Sequence, residues 1–132
     1  DGDNDLLVTN RVIKKRYQSY SQETCYFLEN DGYGRFSKRS NKKLPSVPAF
    51  RVYLLDANGT DIPDVIILNN NGPYYMIGKG NWGFNVETKK RLPEITPMKE
   101  ITFGDFNGDG FLDLLAITSK NTNPKLWLNR LE

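Results

Sequence analysis

Short runs rich in β-branched and aromatic residues punctuate this chain, each bounded by Gly, Asn, Asp or Pro. Phe50 to Leu55, Asp64 to Leu68, Tyr74 to Ile77 and Phe84 to Thr88 each have the length and composition of a strand. No window shows the 3.6-residue apolar period with caps that an amphipathic helix requires. No uninterrupted apolar run exceeds four residues, as in Val65-Ile66-Ile67-Leu68, far short of the roughly 20 residues of a spanning helix. The pattern predicts an all-β protein built from four-stranded units.

These units repeat. Asp105-Phe106-Asn107-Gly108-Asp109-Gly110-Phe111-Leu112-Asp113-Leu114-Leu115, slid backwards, lands on Asp56-Ala57-Asn58-Gly59-Thr60-Asp61-Ile62-Pro63-Asp64-Val65-Ile66. A third copy opens the chain, where Asp1-Gly2-Asp3-Asn4-Asp5-Leu6-Leu7 matches Asp109 to Leu115. The aspartates at the ninth position are then Asp5, Asp64 and Asp113, 59 and 49 residues apart. Other landmarks hold the same phase: Lys42-Lys43-Leu44-Pro45 with Lys90-Arg91-Leu92-Pro93, and Tyr26 to Phe36 with Tyr74 to Phe84. A unit of about 50 residues with four strands is the size of a β-propeller blade. The expected division is a partial blade at 1–45, a complete blade at 46–93 and a partial blade at 94–132. Blades bury their faces against neighbours, so the chain is expected to be a piece of a longer protein or to have its ends covered by another chain.

The repeated loop carries the candidate chemistry. Calcium takes six to eight oxygen ligands, and Asp105, Asn107, Asp109 and Asp113, with the Phe111 carbonyl, offer oxygens at alternate positions of one short bend. Gly108 and Gly110 permit its sharp turn. In the second copy the corresponding donors are Asp56, Asn58, Thr60 and Asp64. That set is poorer, because Thr60 replaces an aspartate and Pro63 stiffens the bend. The first copy retains Asp1 and Asp5 as part of a truncated set. A turn rich in Asp, Asn and Gly that binds nothing is the competing reading, since these residues favour turns for local reasons. An EF-hand fits the first nine positions of the third copy but fails at the twelfth, where Ala116 stands in place of a bidentate Glu; dockerin-type repeats fail for want of helices.

Composition mainly excludes. Histidine is absent and Cys25 is the single cysteine, which removes the commonest general base and any internal disulfide. A net charge of +2 from 18 basic and 16 acidic residues is too small to point to nucleic acid. Lys38, Arg39, Lys42 and Lys43 recur in phase with Lys89, Lys90 and Arg91 and would form a basic rim facing an acidic partner or anionic head groups, against the plainer reading of solvated turns. Asn58-Gly59-Thr60 is a glycosylation sequon inside the second loop, where glycan and cation compete for Asn58; no glycan is expected there. Trp82 and Trp127 are expected between blades and Cys25 as a small buried apolar residue. Asp1-Gly2-Asp3-Asn4-Asp5 is neither an initiator methionine nor a signal peptide.

Phe103-Gly104-Asp105-Phe106-Asn107-Gly108-Asp109-Gly110-Phe111-Leu112-Asp113-Leu114-Leu115 resembles the FG-GAP/VCBS repeat of integrin α-subunit propellers and integrin-like surface proteins. The asparagine-glycine turns from Asn30 to Phe36 are similar to the later part of such repeats. The resemblance, which spans essentially the whole chain, implies a propeller of roughly seven blades with Ca2+ in the loop joining the first two strands of a blade. It also implies an extracellular, cell-surface or lumenal setting and a non-enzymatic role in protein-protein interaction, adhesion or scaffolding. Thr60, Pro63 and the Gly78-Lys79-Gly80 turn depart from the pattern. Similar repeats also occur in enzymes acting on carbohydrate or lipid, and a structural subunit of a large assembly is a further alternative.

Overall fold

In the computed structural model, residues 2–9, 25–39, 44, 49–69, 72–87, 92, 98–118 and 121–129 are described. They form ten strands and, among the described residues, no helix. The strands are β1 (Leu6–Thr9), β2 (Cys25–Asn30), β3 (Phe36–Lys38), β4 (Arg51–Leu55), β5 (Asp64–Asn69), β6 (Gly72–Gly78), β7 (Phe84–Val86), β8 (Met98–Gly104), β9 (Asp113–Thr118) and β10 (Asn121–Trp127). They assemble into three sheets of order β1-β2-β3, β4-β5-β6-β7 and β10-β9-β8. Pairing is between chain neighbours and antiparallel, with Leu7 opposite Phe27, Ile66 opposite Tyr75 and Leu115 opposite Thr102. The chain divides into two compact units, Asp1–Val52 and Tyr53–Glu132.

In the second unit β5 is central, and its apolar run explains why. Val65, Ile66, Ile67 and Leu68 are each at most 1% exposed, so both faces of the strand are covered. A strand covered on both faces needs continuous rather than alternating hydrophobicity. Burying four such side chains contributes about 1.5–3 kcal/mol each. Ile101, Leu114 and Ala116 are buried apolar side chains of the β8-β9-β10 sheet. Tyr53 of β4 meets Phe103 of β8 edge to face at 5.3 Å and 72°, and its hydroxyl donates to the Ile101 carbonyl at 2.9 Å. The first strands of the two sheets are thereby joined by an aromatic pair that also satisfies its polar end.

Proline marks an edge. Pro124 lies in β10, where the register against β9 shifts between Asn121 and Lys125. Lacking an N–H, proline is tolerated in a sheet only at an edge or a bulge, and β10 provides both. The β6-β7 turn joins Lys79 N–H to the Gly83 carbonyl and Gly83 N–H to the Gly80 carbonyl, both at 2.9 Å, with Asn81 at φ 48° and Trp82 at φ 61°. Two consecutive left-handed residues make this a type I′ turn, whose twist matches that of the strands it joins.

In the first unit the β2-β3 turn is closed by Asp31 N–H to the Arg35 carbonyl at 3.1 Å. Asn30 Oδ1 accepts from Gly32 N–H and Gly34 N–H at 3.1 and 3.0 Å. Lys38 Nζ lies 4.8 Å from the centre of the Tyr26 ring, and Arg39 pairs with Glu29. Among the described residues no helix is long and apolar enough to cross a membrane.

Candidate functional loops

The third loop joins β8 to β9 and runs from Asp105 to Leu112. Its first carboxylate organises it: Asp105 Oδ1 accepts from Gly108 and Asp109 N–H at 2.6 and 3.1 Å, and Oδ2 from Gly110 N–H at 2.9 Å. Presenting three amides to one carboxylate requires left-handed backbone at Gly108 (φ 79°) and Gly110 (φ 89°), a conformation glycine adopts without strain. Gly110 is the main cause of a carboxyl held below its ordinary value of 3.8. Desolvation opposes it, and Gly108, Asp109 and Asn107 add to the lowering. Asp105 is therefore a carboxylate at neutral pH. Asn107 Oδ1 accepts from Asp109 N–H at 3.0 Å, its Nδ2 donates to Asp109 Oδ2 at 2.8 Å, and Asp109 Oδ1 accepts from Phe111 N–H at 2.9 Å. Asp105, Asn107 and Asp109 are exposed.

Asp113 stands apart from this exposed set. It is 0% exposed, with Oδ2 accepting from Phe106 N–H at 3.0 Å and Oδ1 from Asn129 N–H at 2.7 Å. The ninth-position aspartate thus ties the start of its loop to the residues just past the third strand. The same bond recurs in each repeat. Asp64, also 0% exposed, holds Gly78 N–H at 2.8 Å through Oδ1, and Asp5 holds Asn30 N–H at 2.8 Å. A buried carboxylate is tolerable only with such partners, and here backbone amides supply them.

The second loop, Asp56 to Pro63, has the same frame with its cavity closed. Asp56 accepts from Thr60 N–H at 3.0 Å and Asp61 N–H at 2.8 Å. Its carboxyl is shifted down: desolvation opposes, but the amides of Asp61, Thr60, Gly59 and Asn58 together outweigh it. Thr60, standing where the third loop has Asp109, donates its hydroxyl to Asn58 Oδ1 at 2.6 Å. Asp64 Oδ2 takes two further donors, Ala57 N–H at 3.2 Å and the Tyr75 hydroxyl at 2.7 Å. With Gly78 on Oδ1, three donors engage both oxygens of a buried carboxylate.

Pro63 and Gly78, two departures from the repeat pattern, are one structural feature. A Cβ at Gly78 would lie 2.8 Å from Ile62 Cγ2 and closer still to the Pro63 carbonyl oxygen. The loop therefore rests on the end of β6, where only glycine fits. At the corresponding Asn30 the side chain instead reaches the equivalent loop carbonyl, its Nδ2 donating to the Asn4 carbonyl oxygen at 3.2 Å.

The donor set of the third loop fits calcium in kind: carboxylates, an amide oxygen and a carbonyl, all hard and mostly exposed. The donors are organised mainly by backbone amides, with one side-chain bond between Asn107 and Asp109. Among the described residues no three Asp, Glu, His or Cys side chains form a group able to hold a metal ion. The second loop offers a poorer set, because Thr60 replaces an aspartate and its hydroxyl is engaged with Asn58 Oδ1. Asp5 is half-buried and engaged with Asn30, and Asp1 lies outside the described residues.

Of the basic positions, Lys38 and Arg39 have the intramolecular partners given above, while Lys42, Lys43, Lys89, Lys90 and Arg91 lie outside the described residues. Trp82, Trp127 and Cys25 are each half-buried, and burial pushes the Cys25 thiol up to about 11. The loop-closing partners Tyr75, Gly78 and Asn129 were not legible as functional positions. No curated protein and no solved structure matches the chain. Residues 56–116, the segment that carries both loops, match the family model of the FG-GAP-like repeat.

Proposed function

We propose that this chain is a non-enzymatic segment of an FG-GAP-type β-propeller that serves protein-protein interaction, adhesion or scaffolding at a cell surface or outside the cell, with Ca2+ in its third loop. The observation that carries the reading is the contrast between the two loops of the repeat. Asp105, Asn107 and Asp109 present oxygens to solvent on a bend already folded around Asp105, whereas the second loop has closed on itself. Asp105, Asn107 and Asp109, with the Phe111 carbonyl and Asp113, would hold the ion, and its contribution is charge neutralisation that stiffens the bend. The chain's own residues do the rest. Asp105 gathers the loop amides, Asp113 fixes the loop to the third strand, and the Asn107 amide occupies Asp109 Oδ2 when no cation does. Such a loop rigidifies a surface and carries out no reaction. That role agrees with the absence of histidine.

Isothermal titration of the chain with calcium is expected to show one site, abolished by Asp109→Ala and retained in Asp56→Asn. Absence of heat in the parent, or heat that survives Asp109→Ala, removes the third loop from the proposal.

A further inference from the structure

Asn129 uses its two nitrogens on two different loops. Its backbone N–H donates to Asp113 Oδ1 at 2.7 Å, and its Nδ2 donates to the Ala57 carbonyl oxygen at 2.7 Å, 72 positions away in sequence. Ala57 is itself bound on its other side, since its N–H donates to Asp64 Oδ2. The result is an unbroken hydrogen-bonded chain, Asp113 to Asn129 to Ala57 to Asp64 to Gly78. It begins on the carboxylate that closes the third loop and ends on the third strand of the preceding sheet. A second contact runs alongside it: a Cβ at Gly59, the tip of the second loop, would lie 3.3 Å from Phe111 Cε1 of the third. Both contacts lie within the second compact unit.

We propose that the second loop is an inter-sheet latch, seated on the third loop through Asn129 and Phe111, and that Asn129 transmits order in the third loop to the second. The chemistry supports this division of labour. A carbonyl engaged by a side-chain amide across two sheets fixes their relative register. The second loop can serve as that fixed surface because Thr60, Asp64 and Pro63 have closed it against a cation. The coupling requires no metal. Cutting one bond of the chain removes the hydrogen-bonded link between the two loops while leaving each with its internal hydrogen bonds and the Gly59–Phe111 approach in place.

The test is amide hydrogen exchange followed by NMR on the full chain in calcium-free buffer, with Asp105→Ala as the perturbation of the third loop and Asn129→Ala as the cut. Asn129→Ala retains the backbone N–H that Asp113 accepts, so protection of that amide reports whether the sheet is still folded. In the parent background, Asp105→Ala is expected to speed exchange at Ala57, Thr60 and Asp61 several-fold. With Asn129→Ala those amides exchange faster at the outset, and adding Asp105→Ala changes them by less than a factor of about 1.5. Unchanged second-loop exchange on Asp105→Ala alone, or equal acceleration with and without the Asn129 side chain, overturns the proposal. Should Asn129→Ala lose protection at residue 129, Asn129→Asp, which keeps the shape and removes the donor, takes its place under the same two criteria.

Discussion

At the residue scale, the informative contrast is between carboxylates that face solvent and carboxylates that do not. Asp113 is buried with two amide donors, and Asp113→Ala leaves both without an acceptor. Stability should fall by about 2–5 kcal/mol in chemical denaturation, with or without calcium. A loss confined to calcium-loaded protein would make Asp113 a ligand alone. Asp105 is exposed and its carboxyl is depressed, so its contribution to loop order is present above the ordinary value of 3.8 and disappears as pH falls through the lower folded value. The Gly108 and Gly110 amide shifts should titrate with a midpoint below 3.8; a midpoint at or above that value contradicts the gathering of loop amides on Asp105. Cys25, pushed up to about 11 by burial, should alkylate slowly at neutral pH, with a rate that keeps climbing toward that value, because only the thiolate reacts.

At the scale of elements, strands and loops were legible and the contacts closing the loops were not. The expected strands at Phe50 to Leu55, Asp64 to Leu68, Tyr74 to Ile77 and Phe84 to Thr88 correspond to β4 to β7 with end shifts of one or two residues. The largest shift at a strand start is in β6, which begins at Gly72, two residues before Tyr74. Period and composition suffice for strands because they are local. The bonds from Gly78 to Asp64 and from Asn129 to Asp113 span 14 and 16 positions, and no local pattern announces them. The pairing of Pro63 with Gly78 became intelligible only when a Cβ at 78 was seen to collide with the loop. Gly78→Ala should therefore cost about 1–3 kcal/mol in thermal or chemical unfolding, although alanine is ordinarily acceptable near a strand end. A neutral effect would mean that the loop does not rest there. Trp82 was equally illegible. It sits at φ 61° where the first unit has Gly34 at φ 80°, and nothing in its side chain suggests a left-handed conformation.

At the scale of the whole molecule, one device recurs at Asp5, Asp64 and Asp113, whereas the exposed donors differ from loop to loop. The account therefore turns on the aspartate as a closing pin. Native-state amide hydrogen exchange on the full chain measures it directly. The Asn30, Gly78 and Asn129 amides should be protected far beyond the turn amides of Gly32 and Gly34, with Gly78 and Asn129 approaching the core amides of β5 and β9. Exchange at Gly78 and Asn129 as rapid as at Gly32 and Gly34 would contradict it.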